Sequence, residues 1–176
     1  DMAQLRGTVV DLRPQATVEL PADTRPEVRS ALQSIAQADR SFDPRRFVDG
    51  ARAAYGLILD AFWKGDHAAL DALVADDVGL QFRRAIAARE TDGIKLENRL
   101  VSVDRAEIVS AQLSGSMAEI TVRFDADIIA VSRDREGRIV AGSTSDAIQT
   151  HDLWTFSRHI GAADPNWLLI ATDEQG

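Results

Sequence analysis

The spacing of apolar residues differs between the first and second parts of the chain. From Thr24 to Gly93, apolar residues recur every three or four positions, which is the spacing of amphipathic helices. The clearest helical face consists of Phe47, Ala51, Ala54, Tyr55, Ile58 and Phe62. After Gly93, apolar and polar residues alternate, which is typical of strands with one buried face. Because helices come first and an antiparallel meander follows, the pattern predicts an α+β fold with helices packed on a sheet.

Residue types at helix ends predict where four helices begin and end. Thr24 and Glu27 have the spacing of a capping box for the first helix. Asp43 is a good N-cap for the second helix, Pro44 suits its first position, and Gly65 suits its end. Two shorter helices follow, and both start at aspartates. A carboxylate at a helix start interacts favourably with the helix dipole, so we interpret these aspartates as structural.

Alternation in the second half predicts a series of strands. They are expected over residues 100–103, 106–113, 118–128, 146–158 and 166–172. The most regular alternation runs from Ala118 to Ile128, where every even position is apolar. Turns containing Gly115 and Gly137 separate the strands. Residues 24–176 are therefore interpreted as a single domain.

Residues 1–23 are predicted to form an extended N-terminal arm. Pro14 and Pro21 interrupt any helix there, whereas Thr8-Val9-Val10 has strand propensity. Such a short segment has no core of its own, so either the domain at 24–176 or a second chain must hold it. The second alternative predicts a homodimer formed through residues 1–23.

Composition narrows the classes of function. The 176 residues include 28 acidic and 20 basic ones, and the net charge of −8 argues against nucleic-acid binding. Cysteine is absent, which excludes disulfides and thiolate metal ligands. His67, His151 and His159 lack metal-site spacing, and there is no glycine-rich phosphate loop, so neither a metal nor a cofactor is expected. No apolar run reaches the ~18–20 residues of a membrane span.

Six segments together resemble one known family. They are Ser41-Phe42-Asp43-Pro44, Phe62-Trp63-Lys64-Gly65-Asp66, Ala88-Arg89-Glu90, Ala106-Glu107-Ile108-Val109, and the stretches at 152–158 and 164–172. Over residues 24–173 their order and spacing resemble the Tim44-like family in its bacterial version. That family is the C-terminal domain of the forty-four-kilodalton subunit of the mitochondrial inner-membrane import translocase.

The resemblance implies both a shape and a role. The shape is a cone-like, curved antiparallel sheet with helices across its open side, similar to the nuclear-transport-factor-two superfold. The role is that of a non-enzymatic, membrane-associated scaffold, whose partners are inner-membrane lipid, cardiolipin included, and membrane or transport proteins. The implied location is the bacterial inner membrane, reached peripherally or through an upstream anchor, which would account for a chain starting at Asp1. The side of the membrane is left open.

A cone that is incompletely filled would contain a hydrophobic pocket for lipid or apolar peptide. The expected lining residues are Tyr55, Leu59, Trp63, Phe82, Phe124, Asp152, Trp154 and Phe156. The alternative interpretation is that these residues form ordinary core.

Membrane contact is expected on the helical part, because most of the acidic excess lies in residues 93–176. The residues expected to touch anionic lipid are Arg45, Arg46, Arg83, Arg84 and Arg89. The alternative is a solvated helix surface on which these arginines form salt bridges.

The same superfold also hosts enzymes, so a small-molecule isomerase or dehydratase is the alternative function. Asp152 is the expected general base, since its strand parity matches that of Trp154 and Phe156 and apolar rings raise the pKa of a carboxyl group. His151 has the opposite parity and should face away from Asp152. Tyr55 is placed in the helical core, so no proton-donating partner is predicted, and the chain is interpreted as a non-enzyme.

Overall fold

The computed structural model describes residues 18–174, and the predictions for residues 1–17 lie outside the described residues. Four helices occupy the first half of the chain. They are α1 (Pro26–Ala38), α2 (Pro44–Lys64), α3 (His67–Leu73) and α4 (Asp76–Thr91). The start and end of α2 are as predicted: the Asp43 side chain accepts a hydrogen bond from the Arg45 amide, and Gly65 ends the helix with φ 73°.

The predicted capping box at α1 is wrong. The N-cap is Arg25, which makes no side-chain capping bond. The Thr24 hydroxyl instead donates to the carbonyl oxygen of Pro21 at 2.6 Å, and Glu27 pairs with Arg25 at 2.7 Å. The Thr24 side chain therefore stabilises the turn that precedes the helix.

Seven strands follow α4. They are β1 (Lys95–Leu96), β2 (Arg99–Ser114), β3 (Met117–Ile129), β4 (Val131–Arg133), β5 (Ile139–Gly142), β6 (Ile148–His159) and β7 (Leu168–Glu174). The main sheet has the order β2-β3-β6-β7, and a smaller sheet has the order β1-β4-β5, with all neighbours antiparallel. The order of helices before antiparallel sheets confirms the α+β class.

Strand β2 joins two segments that the sequence pattern separates, 100–103 and 106–113. Its register against β3 shifts at three places, and each shift interrupts the alternation. Such irregularities bend a strand and increase its twist, which gives the open main sheet its curvature.

The short strands β4 and β5 were not predicted. Three and four residues are too few to produce a recognisable alternation, and the charged segment between them was interpreted only as a turn. That segment is the turn of the β4–β5 hairpin, where the Gly137 amide donates to the carbonyl oxygen of Asp134 at 3.0 Å.

The core lies between the helices and one face of the main sheet. The even positions of β3 from Ala118 to Ile128 are buried, as the alternation predicts. Tyr55 of α2 stacks on Phe124 of β3 with ring centroids 4.3 Å apart, and its ring lies 4.6 Å from that of Trp154 in β6. Helix α2 therefore covers the centre of the sheet.

Candidate functional site

An apolar groove, here called the α2 groove, runs between α2, α3 and the connection from β6 to β7. Its volume is about 640 Å³. Its apolar lining includes Phe42, Phe47, Gly50, Ala53, Ala54, Leu57, Leu73, Phe156 and Trp167. The groove combines aromatic walls with a floor of small residues on α2, so it offers apolar surface next to solvent.

Small side chains on α2 create the space in this groove. A Cβ atom added at Gly50 would meet no atom within 4 Å. Leu57, two turns further along the helix, leaves 58% of its surface exposed. Trp167 forms the opposite wall, with its ring centroid 4.9 Å from that of Phe47 and 6.1 Å from that of Phe42. An exposed leucine in a groove with aromatic walls is the type of surface that takes up an apolar ligand.

An ion pair at one end holds the Trp167 wall in place. Arg158 Nη1 donates to Asp39 Oδ2 at 2.9 Å, and both side chains are largely buried. The same guanidinium donates to the carbonyl oxygens of Ala162 and Asp164, which lie in the β6–β7 connection. The hydrogen bond from the Ser41 hydroxyl, aided by Arg158, lowers the pKa of Asp39 and keeps its carboxylate ionised.

A single cation lies at the rim of the groove without an ion-pair partner among residues 18–174. Arg46 lines the groove, is exposed, and forms no salt bridge there. The neighbouring Asp43 carboxylate is engaged as the N-cap of α2. The rim therefore presents a free positive charge beside apolar surface.

The predicted pocket residues fall into two groups. Tyr55, Phe124, Trp154 and Phe156 come together as packed core, none of them more than 4% exposed. Phe156 alone among the eight also lines the α2 groove. Leu59, Trp63 and Phe82 are half-buried, and the Phe82 ring packs at 5.2 Å on Phe62 near the far end of α2. The centre of the cone is filled by the Tyr55 ring, and the open apolar space lies beside α2 instead.

Asp152 has a partner that sequence reasoning missed. The Tyr55 hydroxyl donates to Asp152 Oδ2 at 2.7 Å. Burial raises the pKa of both groups, and for Asp152 the Tyr55 hydrogen bond opposes this shift. The two residues are 97 positions apart, and only the crossing of α2 over β6 brings them together. Neither lines the α2 groove, so the isomerase or dehydratase alternative is not favoured.

His151 lies on the other face of the sheet. Its Nδ1 is 2.6 Å from Asp125 Oδ1, and Arg123 Nε is 3.3 Å from the same oxygen. These contacts, His151 first, lower the pKa of Asp125. Within the described part of the chain, no group of three His, Cys, Asp or Glu side chains is arranged to hold a metal ion.

The five arginines predicted to touch lipid do not form one patch. Arg45 and Arg46 lie in the first turn of α2, whereas Arg89 Nη2 donates to the carbonyl oxygens of Phe62 and Trp63 at its other end. At 1.5 Å per residue, these two ends are about 25 Å apart. Arg89 therefore caps α2.

On α4 both of the remaining arginines, Arg83 and Arg84, are exposed, and Arg83 forms an ion pair with Asp71 of α3. Of the predicted set, only Arg46 lines the α2 groove, whereas Arg45 lines a separate cavity together with Leu20 and Val48. No helix within residues 18–174 has the length and apolar character needed to cross a membrane.

Comparison with known proteins identifies similar chains. Residues 28–174 match the family model of the Tim44-like domain. The human mitochondrial import inner membrane translocase subunit TIM44 is 19% identical over 150 residues, which are 84% of this chain and 33% of that protein. The chain thus spans about a third of the length of that curated relative.

Two solved structures show partial likeness. The intermembrane space region of the chloroplast protein ARC6 gives a TM-score of 0.42 at 11% identity, covering 62% of this chain and 77% of that one. A de novo designed β-sheet protein gives a TM-score of 0.32 at 13% identity, covering 74% and 88% of the two chains.

Proposed function

The chain belongs to the Tim44-like domain family, and from this premise we propose that it is a non-enzymatic binding domain of a protein-transport machine at the bacterial inner membrane. The similarity to a translocase subunit supports the transport role. The domain would hold a membrane or transport protein while attached to the lipid surface. A homodimer formed through residues 1–23 belongs to the same proposal, and light scattering on chains with and without these residues tests it.

The α2 groove is the proposed lipid site, and the observation that supports it is the free Arg46 cation beside exposed apolar surface. An acyl chain would lie along Leu57 and the small residues of α2, while the phosphate group would meet Arg46. The preceding Arg45, which lines a separate cavity, would add positive charge at the same end of the helix. Each buried methylene contributes about 0.8 kcal/mol. Each arginine near an anionic surface contributes about 1 kcal/mol, which weakens as salt increases.

Liposome flotation tests this proposal with vesicles of phosphatidylcholine, with and without cardiolipin. We expect binding to the cardiolipin vesicles at low salt. Arg46→Gln should weaken it about fivefold, which corresponds to about 1 kcal/mol, whereas Arg84→Gln on α4 should leave it unchanged.

The apolar contribution has its own matched pair of variants. Leu57→Gln changes a residue that is 58% exposed inside the groove, and Leu80→Gln changes one that is 48% exposed on α4. Only the first should reduce vesicle binding. An absence of binding by the unmodified chain at low salt would remove the lipid role, and binding of an apolar peptide by such a chain would assign the groove to peptide.

A further inference from the structure

The smaller sheet ends in an apolar strand with an open edge. Strand β5 is hydrogen-bonded to β4, and no other strand within residues 18–174 lies along its second side. All four of its residues are exposed, with Ile139 at 46% and Val140 at 54%. An open edge presents unpaired backbone groups that can join a further strand.

The outer strands of the main sheet are protected in ways that β5 is not. Strand β2 packs against α1. In β7, the Leu169 carbonyl accepts a hydrogen bond from the Ala75 amide at 2.9 Å, and the strand ends with Asp173 and Glu174. Covering elements and charged side chains are the usual means of preventing strand addition. The pairing of β5 with β4 has a register shift at Val140, but β5 has no charged residue, and no element within residues 18–174 covers it, so this edge is available to a partner strand.

We propose that β5 pairs antiparallel with β5 of a second copy of this chain, about a twofold axis between Val140 and Ala141. This pairing joins the two smaller sheets into one six-stranded sheet. Ile139 then lies opposite Gly142 of the other copy, and Val140 lies opposite Ala141. Each large side chain faces a small one, so the strand is complementary to itself in size, as a twofold interface requires.

Local charge also favours a second copy. The chain as a whole carries −8, which opposes self-association at most of its surface. The hairpin turn next to β5 is neutral, because it contains two acids, Asp134 and Glu136, and two bases, Arg135 and Arg138. Arg138 is already paired with both acids, at 3.3 and 3.6 Å. Two copies can therefore meet here without net repulsion, and a strongly charged partner would find no complementary charge.

Sedimentation equilibrium of the full chain, from about 10 µM to 1 mM, tests the proposal. A four-residue edge buries much less than the ~1,200 Å² of a stable interface, so we expect a weak association, separate from a dimer formed through residues 1–23, that appears only at the higher concentrations. Val140→Lys should weaken it at least about tenfold, because a lysine blocks an edge strand. Leu80→Lys, at a residue exposed to a similar degree on α4, should not.

A monomer at every concentration would overturn the proposal. A dimer that Val140→Lys does not weaken would also overturn it and would place the interface elsewhere, for example at residues 1–23. A monomeric chain whose Val140 amide resonance shifts when an extended apolar peptide is added would assign the edge to a peptide instead.

The register has an independent test, because the chain contains no cysteine. Val140→Cys and Ala141→Cys variants are mixed in equal amounts and oxidised. In the proposed register, a cysteine at position 140 lies opposite a cysteine at position 141 of the other copy. The disulfide between the two variants should therefore make up more than half of the disulfide-linked product, which is the share expected from random pairing. A random mixture of disulfides would overturn the register.

Discussion

Replacing Tyr55 by Phe removes the hydroxyl that joins helix α2 to Asp152 in strand β6. Tyr55 is fully buried, and its ring stacks at 4.3 Å on Phe124 and lies 4.6 Å from Trp154. Phe retains the ring and these contacts. The variant therefore removes the hydrogen bond to Asp152, whose O–O distance is 2.7 Å, and the interaction of the hydroxyl with Thr150.

The structure sets the size of the expected loss. A hydrogen bond to an ionised group contributes about 1.5–3 kcal/mol, and removal of the donor leaves the carboxylate to be solvated by whatever water reaches it. Asp152 is half-buried, so water compensates in part, and we expect a loss of about 1.5–2 kcal/mol at pH 7. At about 2–4 °C per kcal/mol for a chain of this length, Tm should fall by about 3–8 °C.

Urea unfolding, followed by circular dichroism and tryptophan fluorescence, measures this loss at pH 7 and in acid. Burial raises the pKa of Asp152, so the carboxyl group of the folded chain becomes protonated as pH falls through that raised pKa. The hydrogen bond then joins two neutral groups, and the penalty should shrink to about 0.5–1.5 kcal/mol. A loss below about 0.5 kcal/mol at pH 7, with an unchanged urea dependence, would refute the reasoning.

Four further substitutions test other features. The Asp152→Asn variant has no titratable group at this position. Because the pKa of Asp152 is raised in the folded chain, its carboxyl group contributes stability that is fully present below about pH 4 and is lost as pH rises through the folded-state pKa. The unmodified chain should therefore lose stability relative to the variant as pH rises over that range. A pH-independent difference would contradict this. Arg89→Met removes the cap of α2 and should cost about 1–3 kcal/mol in urea unfolding, and an unchanged midpoint would show the cap to be unimportant. Gly142 has a φ of 85°, and the Cβ of Gly142→Ala would be pressed against the Ala130 carbonyl oxygen. Because this contact destabilises the β4–β5 hairpin, hydrogen exchange of its amides should accelerate. Gly137→Ala, at φ 81° in open space, should cost only the ~1–2 kcal/mol of the left-handed conformation, and equal effects at both glycines would exclude the contact as the cause.

Several features of the fold are readable from short stretches of sequence. The alternation from Ala118 to Ile128 identifies the buried face of β3, because successive side chains of a strand point to opposite faces and only one of these faces the core. Asp43 and Gly65 mark the ends of α2. The Asp43 side chain and the Gly65 amide form hydrogen bonds with backbone groups of the helix that lie only a few positions away. The order of these elements, together with the quoted motifs, is sufficient for the α+β class and for the family.

The candidate site depends on contacts between distant parts of the chain. The sequence predicts that Tyr55 and Trp154 face the core, but it does not show that the Tyr55 ring occupies the centre of the cone and moves the open apolar space to the side of α2. Likewise, the sequence predicts that Arg89 is a surface cation, whereas in the fold it caps α2 by donating to carbonyl oxygens 26 and 27 positions earlier in the chain. The periodicity of apolar residues predicts which face of a helix or strand is buried, because burial depends on the polarity of each side chain. Which residues then meet is decided by how the elements cross, and that crossing is a property of the packed core as a whole.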